Sequence, residues 1–298
     1  MATLTRPDAV PPAISRRGAT ALIAAGYAAI AVGADAAAIT TDTSGLQIDS
    51  ITMPNGFGAG LPAYVVRPAA AGRHPAVIVV NEVFGLHEYI KDICRRLAKA
   101  GYVAIAPEFF YRNDPDRKLA QTMDFPFIMK VVGEATNAQV MGDVTTTLDW
   151  LRKQAFVAPD RLAITGFCWG GGVTWMAAAQ FPQLKAGVAW YGRLAPPKTA
   201  APGAEQRKYP LEVAPDLKAP VLGLYGALDK GIPIDDVAAM QAVLKDAGTR
   251  NPAAKRSSIR LYMAADHGFH ADYRPSYNEA DAKDGWARML AHFKANGV

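Results

Sequence analysis

Arg161-Leu162-Ala163-Ile164-Thr165-Gly166-Phe167-Cys168-Trp169-Gly170-Gly171-Gly172 joins a short apolar run to a glycine-rich turn that carries a single thiol. The run has the composition of a buried strand and the residues beyond the turn that of a helix, so the stretch reads strand, tight turn, helix. Glycine two places before and two places after Cys168 lets the backbone pass through a cramped turn, and the side chain at its apex then stands at the top of a sheet. The same turn puts Cys168 at a helix N-terminus, where orphan N–H groups and the positive end of the dipole favour thiolate over thiol. This is the pattern of a nucleophile elbow with Cys in place of Ser. A bare G-x-C-x-G is equally the pattern of a packed structural cysteine, so the rest of the chain has to decide.

Outward from that stretch, strand and helix patterns alternate. Residues 76–80 form a continuous apolar run of the kind expected for a parallel strand buried on both faces, and they end in Asn81-Glu82-Val83-Phe84-Gly85. Residues 88–100 have helical spacing stopped by Gly101, residues 103–107 form the next buried strand, and 141–154 are helical again. Residues 46–53 and 62–67 alternate around Pro54-Asn55-Gly56, which predicts an antiparallel hairpin at the sheet edge. Beyond the elbow, 173–180 continue the helix, 185–191, 220–226 and 258–263 read as strands, and 234–247 and 278–295 as helices. Residues 113–136 lack a clean period and read as an excursion over the site, with Phe125, Phe127 and Met129 as pocket walls or as core filling. The Pro/Ala-rich stretch 195–215 reads as surface loop. The alternation predicts a mostly parallel sheet of about eight strands with helices on both faces. Ligands of such sheets bind beyond the carboxyl ends of the strands.

Composition narrows the function classes. The chain has 298 residues, 50% hydrophobic and 20% charged, without repeats or low-complexity blocks, which fits one globular domain over residues 39–298. The net charge of +5 comes from scattered basic residues, with no Lys/Arg-rich run interleaved with aromatics, so no nucleic-acid partner is expected. A weak basic field still favours small carboxylates. Two cysteines, Cys94 and Cys168, lie in different segments and build neither a disulfide framework nor a metal cluster; no metal and no cofactor is expected. Residues 1–38 resemble an export signal: Ser15-Arg16-Arg17, a weakly apolar run too short to span a bilayer, then small residues. The paired arginines suggest the twin-arginine route, although Ala19 stands where a large apolar residue is commoner. The alternative is an uncleaved amphipathic or buried helix. The expectation is a monomeric periplasmic or secreted protein with no stable membrane association after cleavage, or a cytoplasmic one if the signal is not used.

Three residues at strand ends follow one another as Cys168, Asp229 and His267, in the nucleophile, acid, base order of the α/β-hydrolase fold. The chemistry needs a base within reach of the thiol and a carboxylate to fix that base's tautomer. His270 and Asp266 are rivals in the same loop; His267 is preferred because it comes first after its strand. Asp235 and Asp236 compete with Asp229, but beside Pro233 they read as helix caps.

The chain resembles the dienelactone hydrolases, or carboxymethylenebutenolidases, over residues 40–298. The resemblance is carried by Asn81-Glu82-Val83-Phe84-Gly85-Leu86-His87, Gly166-Phe167-Cys168-Trp169-Gly170-Gly171, the Asp229 segment and His267-Gly268-Phe269. It implies a small lactone or ester as substrate, attack by Cys168, His267 as base and acid, and Asp229 as its orienting partner. It also implies that Glu82 contacts the thiol region and controls its protonation, and that the backbone N–H groups of Val83 and Trp169 form the oxyanion hole. Members acting on dienelactone carry an arginine four places after the catalytic His, and here that place is Ala271. Arg274, Arg112 and Arg193 are the candidate substitutes, with Tyr191 and Phe84 as further substrate contacts. A carboxylesterase or thioesterase on the same scaffold, and a hydrolase-fold binding protein without catalysis, are the alternatives.

Overall fold

The computed structural model describes residues 38–55, 58, 60–197 and 207–298. The signal-like segment therefore lies outside the described residues, apart from Ala38. One eight-stranded sheet organises the chain, made of β1 (Leu46–Met53), β2 (Leu61–Pro68), β3 (His74–Val80), β4 (Val103–Pro107), β5 (Val157–Phe167), β6 (Leu184–Trp190), β7 (Val221–Gly226) and β8 (Ser258–Tyr262). Their spatial order is β1-β2-β4-β3-β5-β6-β7-β8. β1 and β2 form the expected antiparallel edge hairpin, β2 runs antiparallel to β4, and all later neighbours are parallel. This is the α/β-hydrolase arrangement.

Eight α-helices are described: α1 (Glu88–Lys99), α2 (Phe125–Glu134), α3 (Asn137–Arg152), α4 (Trp169–Gln180), α5 (Pro210–Val213), α6 (Ile234–Ala247), α7 (Pro252–Arg256) and α8 (Glu279–Ala295). Successive residues of β4, β6 and β7 are buried nearly without interruption, odd and even positions alike, so both faces of the sheet are covered. α1 packs on β2 and β4, α4 on β5 and β6, and α8 on β6 and β7. Among the described residues no helix is long and apolar enough to cross a membrane.

Three expectations need correction. The aperiodic stretch 113–136 contains a 3-10 turn, Lys118–Ala120, and then helix α2, started by Asp124, whose side chain accepts from the Phe127 N–H at 3.3 Å. Its buried face is Ile128, Val131 and Val132, at helical spacing, while the flanking aromatics hid that period. Met129 is 45% exposed, Phe127 packs against the core, and the nearby cleft is lined from this excursion by Asp114, Arg117, Leu119, Ala120 and Gln121. Asp235 and Asp236 lie in the first turn of α6 behind Pro233 and make no capping hydrogen bond; they complement the helix dipole. The stretch read as surface loop holds the short helix α5, with residues 198–206 outside the description.

Candidate active site

Cys168 follows β5 directly and holds φ 55° and ψ −115°, a left-handed conformation that costs a non-glycine residue on the order of 1–3 kcal/mol. Its N–H donates to the Trp190 carbonyl at 3.0 Å, tying the apex to the end of β6. The next residue, Trp169, opens α4, so its N–H has no acceptor within the helix. Helix and sheet approach so closely here that a Cβ on Gly170 would stand 2.5 Å from the Val80 carbonyl oxygen and 2.7 Å from that of Asn81. Glycine is required there for the turn to close. Val80 pairs with Gly166 across β3 and β5, so Glu82 and Cys168, each two residues further on, leave adjacent strands side by side.

Asp229 and His267 come from the loops after β7 and β8, which are pinned together by Ala227 N–H donating to the Tyr262 carbonyl and Leu228 N–H to that of Ala265, both at 2.9 Å. His267 Nδ1 lies 2.7 Å from Asp229 Oδ2, and both residues are buried. The other carboxylate oxygen, Oδ1, accepts from the N–H groups of Gly231 and Ile232 at 2.8 and 3.2 Å, which fixes the carboxylate plane. An ionised Asp229 selects the Nδ1–H tautomer and makes Nε2 the basic nitrogen. The Tyr191 ring stands edge-on to the imidazole at 5.2 Å. Of the rivals, Asp266 is exposed and accepts the His267 N–H at 2.6 Å. His270 is buried between Trp190 and Trp286, its Nδ1 2.6 Å from Tyr89 Oη, and burial lowers its pKa to about 3. A ring held neutral and engaged in this way is unsuited to proton shuttling near neutrality.

Glu82 is fully buried. Arg274 Nη2 donates to Oε1 at 2.8 Å, Tyr273 Oη donates to Oε2 at 2.7 Å, and His87 Nε2 lies 3.2 Å from Oε2. Burial opposes the charged form, but Arg274, His87 and Tyr273 together outweigh it and bring the pKa to about 2. Arg274 is buried too; burial disfavours its charge, while Glu82 above all, then Tyr273, Cys168 and Tyr191, restore it and more. Cys168 is thus within electrostatic reach of the Arg274–Glu82 pair. The route of Arg274 depends on Gly268, at φ 77°, where a Cβ would stand 2.9 Å from Arg274 Cδ. Ala271, at the place of the missing arginine, is fully buried.

The remaining sequence candidates are spread more widely. Arg112 is bidentate to buried Asp143, at 2.8 Å for each bond. Arg193 is half-buried beyond β6. Phe84 packs against Arg274 and His87, and lines a cleft of about 360 Å³ shared with Tyr64, Lys91, Phe110 and Tyr111. Val83, one residue earlier, lies in the turn closed by Gly85 N–H to the Glu82 carbonyl at 3.2 Å. Sequence reasoning assigned no role to His87 or Tyr273; only the fold brings them onto Glu82. Among the described residues no group of His, Cys, Asp or Glu is placed to hold a metal ion.

Comparison with known proteins places the chain in a family. The dienelactone hydrolase family model matches residues 61–297. The chain belongs to the dienelactone hydrolase family. It is 43% identical, over 96% of its own length and 94% of the relative's, to a carboxymethylenebutenolidase homologue of Methylorubrum extorquens. A dienelactone hydrolase homologue of Klebsiella pneumoniae, solved by crystallography, shares 46% identity with a TM-score of 0.74, covering 84% of this chain and 98% of that one. A more distant relative is a homologue of 2-oxo-3-(5-oxofuran-2-ylidene)propanoate lactonase from Bradyrhizobium, 30% identical over 78% of this chain and 88% of that protein. This dienelactone hydrolase family member is a hydrolase.

Proposed function

We propose that this enzyme opens small lactones or esters through Cys168, His267 and Asp229. The observation that carries the proposal is the buried Asp229–His267 pair at 2.7 Å, taken with an elbow that holds Cys168 in left-handed backbone at a helix start. The thiol proton passes to His267 Nε2, and Sγ attacks the carbonyl carbon while the C=O π electrons move to oxygen. The N–H groups of Val83 and Trp169 receive that oxyanion; such donors are worth roughly 3 kcal/mol each in comparable sites. Collapse breaks the C–O bond, the departing alkoxide takes the proton from His267, and an acyl-thiol remains. Water, deprotonated by His267, then attacks the acyl-thiol, and Sγ leaves with the proton returned. In a lactone the alkoxide stays tethered to the acyl group, so the product is one hydroxy acid. Glu82, beside Cys168 and paired with Arg274, sets the charge around the thiol before substrate arrives.

One observation favours a broader carboxylesterase or thioesterase reading over a dedicated dienelactone enzyme. The carboxylate clamp position is Ala271, and both Arg274 and Arg112 already hold buried carboxylates. A panel of dienelactone, neutral esters and thioesters, with Cys168→Ala as control, tests both readings. Turnover is expected to vanish in Cys168→Ala while the protein stays folded; full activity in that variant would sink the proposal.

A further inference from the structure

The assignment of Val83 as an oxyanion donor depends on which way one peptide plane faces, and a residue that the reaction scheme does not use holds that plane. Asn81 is fully buried just past β3. Its Nδ2 donates to the Glu82 carbonyl at 2.6 Å, and the Gly85 N–H donates to the same oxygen at 3.2 Å. The Glu82–Val83 peptide is planar and trans, so its C=O and N–H point in opposite directions. Two donors that hold the carbonyl therefore also hold the Val83 N–H, facing the other way. The main chain of Asn81 also lies close to the start of α4, its carbonyl oxygen 2.7 Å from where a Cβ on Gly170 would stand.

The energetics of the side chain point the same way. Asn81 Oδ1 is buried without a hydrogen-bond partner among the described residues, a cost that an apolar side chain would avoid. What distinguishes Asn here is its donor. An uncharged donor suits the place, since a carboxylate would be repelled by the Glu82 carbonyl and by the Glu82 carboxylate one residue away.

We propose that Asn81 is a positioning residue for the oxyanion hole; this rests on the assignment of Cys168 as nucleophile with Val83 and Trp169 as donors. In Asn81→Ala the Glu82 carbonyl keeps only the longer Gly85 bond, and the Val83 N–H is free to tilt. Misplacing a preorganised donor costs up to about a hundredfold. The expected result is a fall in kcat of about 10- to 100-fold on a small activated ester, with KM within about twofold of wild type. The affinity of a trifluoromethyl ketone, whose adduct oxygen occupies the hole, should fall by the same factor. Alkylation of Cys168 by iodoacetamide, a displacement at carbon that develops no oxyanion, should keep its rate. Asn81→Gln keeps an amide donor and should recover most of kcat. Thermal unfolding checks the fold; if Asn81→Ala does not fold, Asn81→Leu, close in volume, takes its place.

The proposal is overturned if kcat stays within about twofold of wild type, if alkylation falls in step with kcat, or if Asn81→Gln is no better than Asn81→Ala. Turnover surviving in Cys168→Ala defeats the nucleophile assignment itself, and that arm is read before any Asn81 variant is compared.

Discussion

Replacing Arg274 by Gln removes the main cation facing a carboxylate that has no access to water. Glu82 sits at about 2 instead of its ordinary 4.5, in spite of complete burial, because Arg274 leads a group of partners that also includes His87 and Tyr273. A drop of that size corresponds to about 3 kcal/mol of stability at neutral pH. Removing one member of a buried pair typically costs about 3–5 kcal/mol, since the other charge is left uncompensated. Urea unfolding of Arg274→Gln at pH 7 should therefore show a loss of about 3 kcal/mol or more, or about 6–12 °C in Tm for a domain of this size. The double variant Glu82→Gln/Arg274→Gln should recover much of that loss, because neither side then carries a buried charge. The pH dependence should also flatten. In the wild type the depressed Glu82 contributes stability that is present above pH 4.5 and lost as pH falls toward 2. Without Arg274 the largest influence opposing burial is gone, so the Glu82 pKa rises toward its ordinary 4.5 and the variant's stability should vary less between pH 4.5 and 2 than that of the wild type. A variant within 1 kcal/mol of wild type, with additive effects in the double variant and a parallel pH profile, would refute this account of the pair.

Two other expectations concern residues around the site. Arg112→Ala strands the buried Asp143 carboxylate and should cost about 3 kcal/mol in urea unfolding. Its kcat/KM on a neutral ester should stay near wild type, and a tenfold loss there would make Arg112 a substrate contact. His270, held neutral by burial with a pKa of about 3, favours the fold above pH 6.5, and that contribution is lost as pH falls from 6.5 toward 3. Below pH 6 the stability of the wild type should drop by up to about 1.4 kcal/mol per pH unit more steeply than that of His270→Gln; equal slopes between pH 5 and 6 would show that the buried imidazole is not the source.

The elements that carry the candidate site were legible because local rules force them. The runs that became β3, β4 and β5 have to be buried on both faces, and the glycines around Cys168 admit the close approach of α4 to the sheet. The edge hairpin, the helices α1 and α6 and the strand ends bearing Glu82, Asp229 and His267 follow from the same patterns. Helix α2 escaped because Phe125, Phe127 and exposed Met129 add apolar positions around Ile128, Val131 and Val132 and blur their helical period.

The sequence by itself determined the order of strands and helices, the apex position of Cys168 and the place of each candidate acid and base at a strand's carboxyl end, since these depend on period, turn chemistry and chain order. Tertiary structure alone decided which candidates meet. The spatial order β4-β3-β5-β6-β7-β8 sets Glu82 beside Cys168 and brings the loop of Asp229 to that of His267. It also decided how Glu82 is charged. Ala271 at the expected arginine position leaves that question open in sequence, and Arg274 answers it by passing beneath Gly268 to a carboxylate 192 residues away along the chain. Such contacts join distant segments through side-chain direction and burial, and no local periodicity encodes either.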